Sequence, residues 1–448
     1  MKDTIKTTCK ELKTFLALWS TQSLSQLGSS MTAFALTLWL YEKTGSALQT
    51  AMLSICSYAP YVMVSIFAGA LSDRWDKKRV MLVCDTLAAC STLVVFALLR
   101  ADLLVPGHLY LLNALNGLMN TIQQPAGDVA MTLIIPKKHY QKTSGMKSFS
   151  NSLITIMNPV LATTLFSLFG INVVIAVDFC TFAVAFVTLL FGIRIPKVQY
   201  ADGEKKESLA ASVKGGLIFL KENGLVFTLI LFLAGVNLVA SAFDAVLPAF
   251  ILPAPQGGEI VLGLVTSTAG VAMLVGSVLV TFMKQPGDRV RVIYLTMLFS
   301  LSTENFLLAF TRTPALWCLG QVIGWLPVPV MSANLDVILR TSIPVEMQGR
   351  VYACRNTLQF FTIPVGFFLG GVLVDKVCEP FMAGVPAGSL MERLFGTGPG
   401  SGAAMVLFLL GIAGTAICLL FGRVLQNIKR VRRGGYTRLD GYKEGQRG

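Results

Sequence analysis

Asp244, Glu304 and Asp178 each stand inside a long apolar run of the chain. A carboxylate placed in hydrocarbon must pair, meet water or take up a proton, so these three are candidates for binding and releasing protons. Asp244 ranks first because Asn237 and Ser241 precede it at helical spacing on the same face; Glu304 ranks second and Asp178 third. One proton descending about 100 mV releases roughly 2.3 kcal/mol, which at about 1.4 kcal/mol per tenfold sustains roughly 40-fold accumulation of a coupled solute. A single titrating side chain would suffice.

Uncharged polar residues form rows in the same runs. Gln22, Gln26 and Ser29 lie three or four residues apart, as do Asn113, Asn116, Asn120 and Gln124, and again Asn237, Ser241 and Asp244. On a helix this spacing puts each row on one face. Gln321, Trp325, Ser332 and Asp336 make a fourth row, bent by Pro327 and Pro329. An unpaired polar group facing lipid is strongly unfavourable, so the rows are expected to converge on one another or on water. Gln22, Gln26, Asn113, Asn116, Asn120, Asn237, Ser241, Gln321 and Trp325 are thus the candidate lining of a substrate cavity, with helix-to-helix hydrogen bonding as the competing role. Trp39, Tyr58, Tyr61, Phe243, Trp325 and Phe361 would add a polarizable wall suited to bulky amphipathic molecules, with plain packing as the alternative.

Other chemistries find little to work with. The two histidines, His108 and His139, fall near helix ends, and the nine cysteines show neither zinc spacing nor a disulfide framework. No metal site, cofactor or catalytic residue is expected. No G-x-x-x-x-G-K-[ST] sequence is present, so an ion gradient rather than ATP is the expected energy source.

The elements that must hold these residues are long apolar helices. Of 448 residues 54% are hydrophobic and only 14% charged, against about 25% charged in an ordinary soluble domain. Hydropathy marks twelve spans, near 14–41, 46–72, 79–99, 108–135, 145–169, 172–193, 225–251, 260–283, 291–311, 315–341, 351–375 and 403–423. With both termini on one side, only Lys43, Arg100, Arg312, Lys376 and Arg393 of the 37 basic residues fall on the other. That asymmetry predicts cytoplasmic termini. The net charge of +13 follows from it and does not indicate nucleic acid.

The polar stretch 194–223 divides six spans from six, giving a first bundle over 1–193, a linker, and a second bundle with a basic tail over 224–448. Within the linker Leu209, Val213, Leu217 and Leu220 recur at helical spacing opposite Lys214 and Lys221, as in a helix on a membrane surface, though Gly215 and Gly216 weaken the pattern. The halves echo each other. Ile135-Pro136 before span 5 matches Ile343-Pro344 before span 11, and Asp73-Arg74 after span 2 matches Asp288-Arg289 after span 8.

Span 2 closes with Gly69-Ala70-Leu71-Ser72-Asp73-Arg74-Trp75-Asp76-Lys77-Lys78-Arg79. This resembles the loop 2–3 signature of the major facilitator superfamily, a G-x-L-x-D-R core followed by basic residues, with Asp76 where the family carries a second glycine. That wording and Pro344-Val345-Glu346-Met347-Gln348-Gly349-Arg350 resemble the macrolide-efflux and enterobactin-exporter branch. The resemblance covers nearly the whole chain. It implies an all-α membrane protein of twelve transmembrane helices in two pseudo-symmetric six-helix bundles, with spans 1, 4, 7 and 10 around the cavity. It also implies a cytoplasmic gate motif of Gly69, Asp73, Arg74, Arg79 and Arg350, in which Arg74 or Arg79 pairs with Asp85 or Asp128. The antiporter glycine-proline motif is incomplete, since Asn158-Pro159 stands in its place.

The expected function is proton-driven export of an amphipathic small molecule, a macrolide-like drug or a siderophore-like metabolite, by alternating access. The alternatives are an importer or symporter on the same scaffold and, from another class, a lipid flippase or membrane-embedded enzyme. The expected partners are a small-molecule substrate, protons and the lipid bilayer of a bacterial inner or plasma membrane, and the expected state is a monomer.

Overall fold

The computed structural model describes residues 11–136, 139–196 and 209–444, and within these not the side chains of 66–74, 140–142, 144–145, 209–213, 345–346, 348–349, 353 and 429–444. The described residues form twelve long helical spans. The first half holds span 1 (Lys13–Thr44), span 2 (Ala47–Arg74), span 3 (Lys77–Arg100), span 4 (Pro106–Ile134), span 5 (Tyr140–Phe169) and span 6 (Ile171–Val187, continued by a π-helical turn Thr188–Gly192). The second half holds span 7 (Gly224–Ile251), span 8 (Glu259–Phe282), span 9 (Arg289–Phe310), span 10 (Pro314–Trp325 and Val328–Ser342), span 11 (Val345–Phe360, Thr362–Val372 and the π-helical turn Leu373–Cys378) and span 12, which opens the helix Ser401–Glu444. Ten of the twelve are long and apolar enough to cross a membrane on composition alone. The other two are spans 1 and 4, whose rows of glutamine and asparagine lower their hydropathy.

Local chemistry sets the ends of these helices. Gly45 takes φ 61° to close span 1, and Ser46 then starts span 2 by accepting from the N–H of Gln49. Asp76 caps span 3 through the N–H of Arg79 at 3.0 Å, and Asp288 caps span 9 through the N–H of Arg291 at 3.1 Å. The duplicated capping acids are therefore Asp76 and Asp288, three residues later in the first half than the Asp73–Asp288 echo implies. This gives Asp76, the departure from the family pattern, a physical role. Span 10 breaks at Leu326-Pro327, where proline cannot donate to the helical ladder.

Packing repeats between the halves. Span 1 packs on span 6 as span 7 packs on span 12, and span 2 on span 4 as span 8 on span 10. The halves join through spans 2 and 11 and through spans 5 and 8, two contacts that the same exchange of halves interconverts. Glycine permits the close approaches. A Cβ on Gly263 would overlap Thr163, one on Gly270 would meet Ile156, and one on Gly371 would run into the backbone of Leu48.

Among the described residues, the hydrogen bonds and aromatic pairs between halves lie from mid-depth to the face opposite the termini, the far face. Tyr61 meets Phe360 at 6.0 Å and Tyr58 stacks on Phe367 at 6.2 Å. Nearest the far face, Asp375 accepts from Ser46 and from the N–H groups of Ala47 and Leu48.

The linker helix, Leu209–Glu222, is present. Leu220 is buried and Leu217 exposed. Gly216 lies against Arg350 and Cys354 at the start of span 11, so the glycines that weaken the amphipathic pattern make the contact.

Candidate functional site

Span 7 is buried on nearly every side between Val239 and Ile251, and Asp244 is its exposed residue there. Glu304 approaches the same place from span 9. It is only 5% exposed and within electrostatic reach of Asp244. Its path runs over Gly324, where any Cβ would collide with the carboxylate. Ser300 fixes this crossing by donating to the carbonyl of Gly324 at 2.6 Å. Around it Glu304 Oε1, Asn305 Oδ1 and Gln321 Nε2 are buried without a hydrogen-bond partner among the described residues. Asp244 and Glu304 thus approach each other beside Gly324 of span 10, among incompletely satisfied polar groups.

The first half presents a different arrangement. Asp85 accepts from Gln22 at 3.4 Å and from Gln123, which ties spans 1, 3 and 4 together. Gln26 and Asn120 are exposed, Asn113 donates to the carbonyl of Leu109 at 2.9 Å, and Asn116 Oδ1 is buried without a partner. Asp178 is buried and accepts from Ser29 at 2.9 Å, so this acid pairs internally across spans 1 and 6.

Two expected cavity residues face elsewhere. Asn237 donates to the carbonyl of Gln359 at 3.1 Å, and the buried Ser241 donates to the carbonyl of Asn237 at 2.6 Å while packing on Gly366. Both belong to the seam between spans 7 and 11. Three- and four-residue spacing groups them with Asp244, but the glycines of span 11 draw span 7 in and rotate only Asp244 into the open. Phe243 is likewise core, at 4% exposure.

In the gate motif, the side chains of Gly69, Asp73 and Arg74 lie outside the described residues. Among the described residues Asp85 accepts from the amides of Gln22 and Gln123, and Lys147 pairs with Asp128. Arg79 is exposed, and Arg350 rests against Gly215 with Met347 Sδ at 4.0 Å. Lys77 and Lys78 prove to be engaged: Lys77 donates to the carbonyl of Trp75 at 3.3 Å, and Lys78 to those of Leu190 at 2.9 Å and Ile193 at 2.7 Å. No sequence signal separated these lysines from ordinary interfacial cations. Among the described residues no group of three or more His, Cys, Asp or Glu side chains gathers to hold a metal ion.

Known proteins share this architecture. Macrolide efflux protein A of Streptococcus pyogenes is 24% identical over 374 residues, covering 81% of this chain and 90% of the relative. The multidrug efflux pump Tap of Mycolicibacterium fortuitum is 23% identical over 364 residues, 78% of this chain and 86% of the pump. A solved bacterial homolog of the human lysosomal transporter Spinster, inward-facing and unoccupied, aligns with TM-score 0.68 at 15% identity, over 93% of this chain and 98% of that one. The nucleoside transporter NupG aligns with TM-score 0.62 at 14% identity, over 91% and 97%. These two show the fold. Residues 18–281, more than half of the chain, match the model of the Major Facilitator Superfamily. With that match and its multi-pass helical architecture, the chain belongs to the Major Facilitator Superfamily.

Proposed function

We propose that the chain exports an amphipathic small molecule, of macrolide-like or siderophore-like chemistry, in exchange for protons, from a bacterial plasma membrane with both termini cytoplasmic. The observation that carries this reading is the exposed Asp244 within electrostatic reach of the buried Glu304. One acid open to water and one sheltered behind it can pass a proton between chamber and protein, and occupancy by protons then biases which face opens. Gln26 and Asn120 supply polar contacts across the chamber, and the tyrosines Tyr58 and Tyr61 give it an aromatic wall at the closed end.

The orientation follows from the basic residues, which crowd the terminal side. The far face, where Asp375 and the aromatic pairs join the halves, is then the outside, and the chamber opens to the cytoplasm. Export is supported by the relatives whose names describe efflux, macrolide efflux protein A and the multidrug pump Tap. The reading is tested in proteoliposomes with an imposed proton gradient and erythromycin or enterobactin as the probe. Probe-driven proton counterflow is the expected result, abolished by Asp244→Asn. Proton and probe moving in the same direction would establish an importer, and unchanged accumulation by the variant would remove Asp244 from the mechanism.

A further inference from the structure

The linker helix Leu209–Glu222 does not run on into span 7. The chain turns at Asn223, at φ −103° and ψ 72°, and the helix packs instead along the first turns of span 11. Its seat there is bare backbone: a Cβ on Gly216 would strike the carbonyl of Arg350 and the Sγ of Cys354, and Leu220, one turn on, is buried on the same side. Gly216 is thereby held at the level of Arg350, where the membrane-crossing part of span 11 begins, and Asn223 is followed at once by Gly224, where that of span 7 begins. The linker helix therefore lies at the depth of the lipid headgroups.

This seat decides which face is left over. Lys214, Leu217, Ile218, Lys221 and Glu222 are exposed, Leu217 at 47% and Ile218 at 48%. At 3.6 residues per turn Lys214 and Lys221 fall nearly in line, with Leu217 to one side of that line and Ile218 to the other. The apolar row expected from spacing is thus split: Leu220 turns to span 11, and Leu217 turns outward beside the lysines. Phe227, in the first turn of span 7, is exposed as well, so apolar surface continues from the turn at Asn223 into the membrane. Among the described residues neither lysine pairs with a carboxylate. Two cations without acids of their own attract an anion, and the leucine and isoleucine beside them attract hydrocarbon. A lysine also keeps its ammonium in the polar layer while its stem lies along apolar surface. An anionic phospholipid supplies both halves of that partner.

We propose that this outer face is a docking surface for the anionic phospholipid headgroups of the leaflet on the side of the termini, with Lys214 and Lys221 on the phosphates and Leu217 and Ile218 among the first methylenes of the acyl chains. The leaflet is fixed by the termini, so the inference holds for export and import alike. The same helix is seated on span 11, whose first segment meets span 2 through Phe360 and Tyr61, so the bound lipid lies one helix away from the junction of the halves.

The test uses full-length protein in nanodiscs of phosphatidylcholine alone and of an equimolar mixture with phosphatidylglycerol, with hydrogen exchange followed at the amides of 215–222. A headgroup that binds only the folded, seated helix slows its local opening. Each lysine near an anionic surface contributes about fivefold, so phosphatidylglycerol is expected to slow these amides by roughly 20-fold in the wild type. The double variant Lys214→Gln with Lys221→Gln is expected to lose this slowing and to keep wild-type rates in phosphatidylcholine, which shows the seat intact; the corresponding pair of Arg substitutions is expected to retain it. Lys284→Gln, which removes an exposed cation between spans 8 and 9 on the same side, is expected to respond as the wild type. Equal rates in the two membranes, a response kept by the double Gln variant, or a response lost in Lys284→Gln would each overturn the docking surface. Inorganic phosphate added to phosphatidylcholine nanodiscs is expected to change nothing; slowing of the same size would make the face a site for free anions and overturn it equally.

Discussion

The carboxylate of Asp375 accepts from the hydroxyl of Ser46 and from the N–H groups of Ala47 at 3.0 Å and Leu48 at 2.9 Å, so a residue of the second half caps a helix of the first. The first-turn donors of span 2 have no carbonyl of their own helix to bond. The π-helical turn Leu373–Cys378 brings Asp375 to them. Because the capping acid belongs to the other bundle, any opening of the far face strips these donors of their partner.

Asp375→Asn keeps an acceptor and removes the charge. A cap of this kind contributes about 1–2 kcal/mol, so the closed-to-open ratio of the far face should drop by about 5- to 30-fold. Distance distributions between labels at Leu103 and Leu390 read this directly at a fixed pH. An unchanged distribution would mean that the aromatic and glycine contacts hold the face without it.

Gly324→Ala places a methyl group where the Glu304 carboxylate lies. Overpacking of this sort destabilises by about 1–3 kcal/mol. A lower thermal midpoint and loss of proton-coupled accumulation are expected together. Adding Glu304→Ala should restore the midpoint and leave coupling lost, which separates the steric effect from the chemical one.

The three membrane acids should not be equivalent. Glu304→Gln removes the sheltered member of the cluster and is expected to bring accumulation from roughly 40-fold toward unity at about 100 mV. Asp178→Asn should retain most of it, because Asp178 is held by Ser29 between spans 1 and 6. Accumulation assays on matched amounts of inserted protein decide the order.

Gly263→Val thickens span 8 where it crosses Thr163 and the carbonyl of Pro159. The far face should be unable to close, shown by longer Leu103–Leu390 distances at every pH, with insertion unchanged. Wild-type distances would show that span 5 yields instead.

The spans were legible because twenty apolar residues in a row have few other uses, and the duplication because two motifs recur at matching places. What spacing could not supply was azimuth. Asn237, Ser241 and Asp244 share a helical face by arithmetic, yet Gly366 and Gly370 let span 11 cover the first two and leave the third open. The approach of Glu304 to Asp244 was hidden for a related reason, since it depends on a missing side chain at position 324 of another helix. The latch expected around Asp85 was read from charge alone, which gave no sign that the amides of Gln22 and Gln123 also reach that acid.

Lys78 donates to two carbonyls at the end of span 6, one within and one just after the π-helical turn Thr188–Gly192. A wider turn leaves carbonyl oxygens without their usual amide donors, and the ammonium stands in for those amides. A positive charge that a topology count would treat as an anchor to phospholipid is thus a rivet between two helices. Spans 3 and 6 are coupled at this end as one rigid slab, and whatever flexing the first bundle performs must arise in the proline-bearing spans beside them.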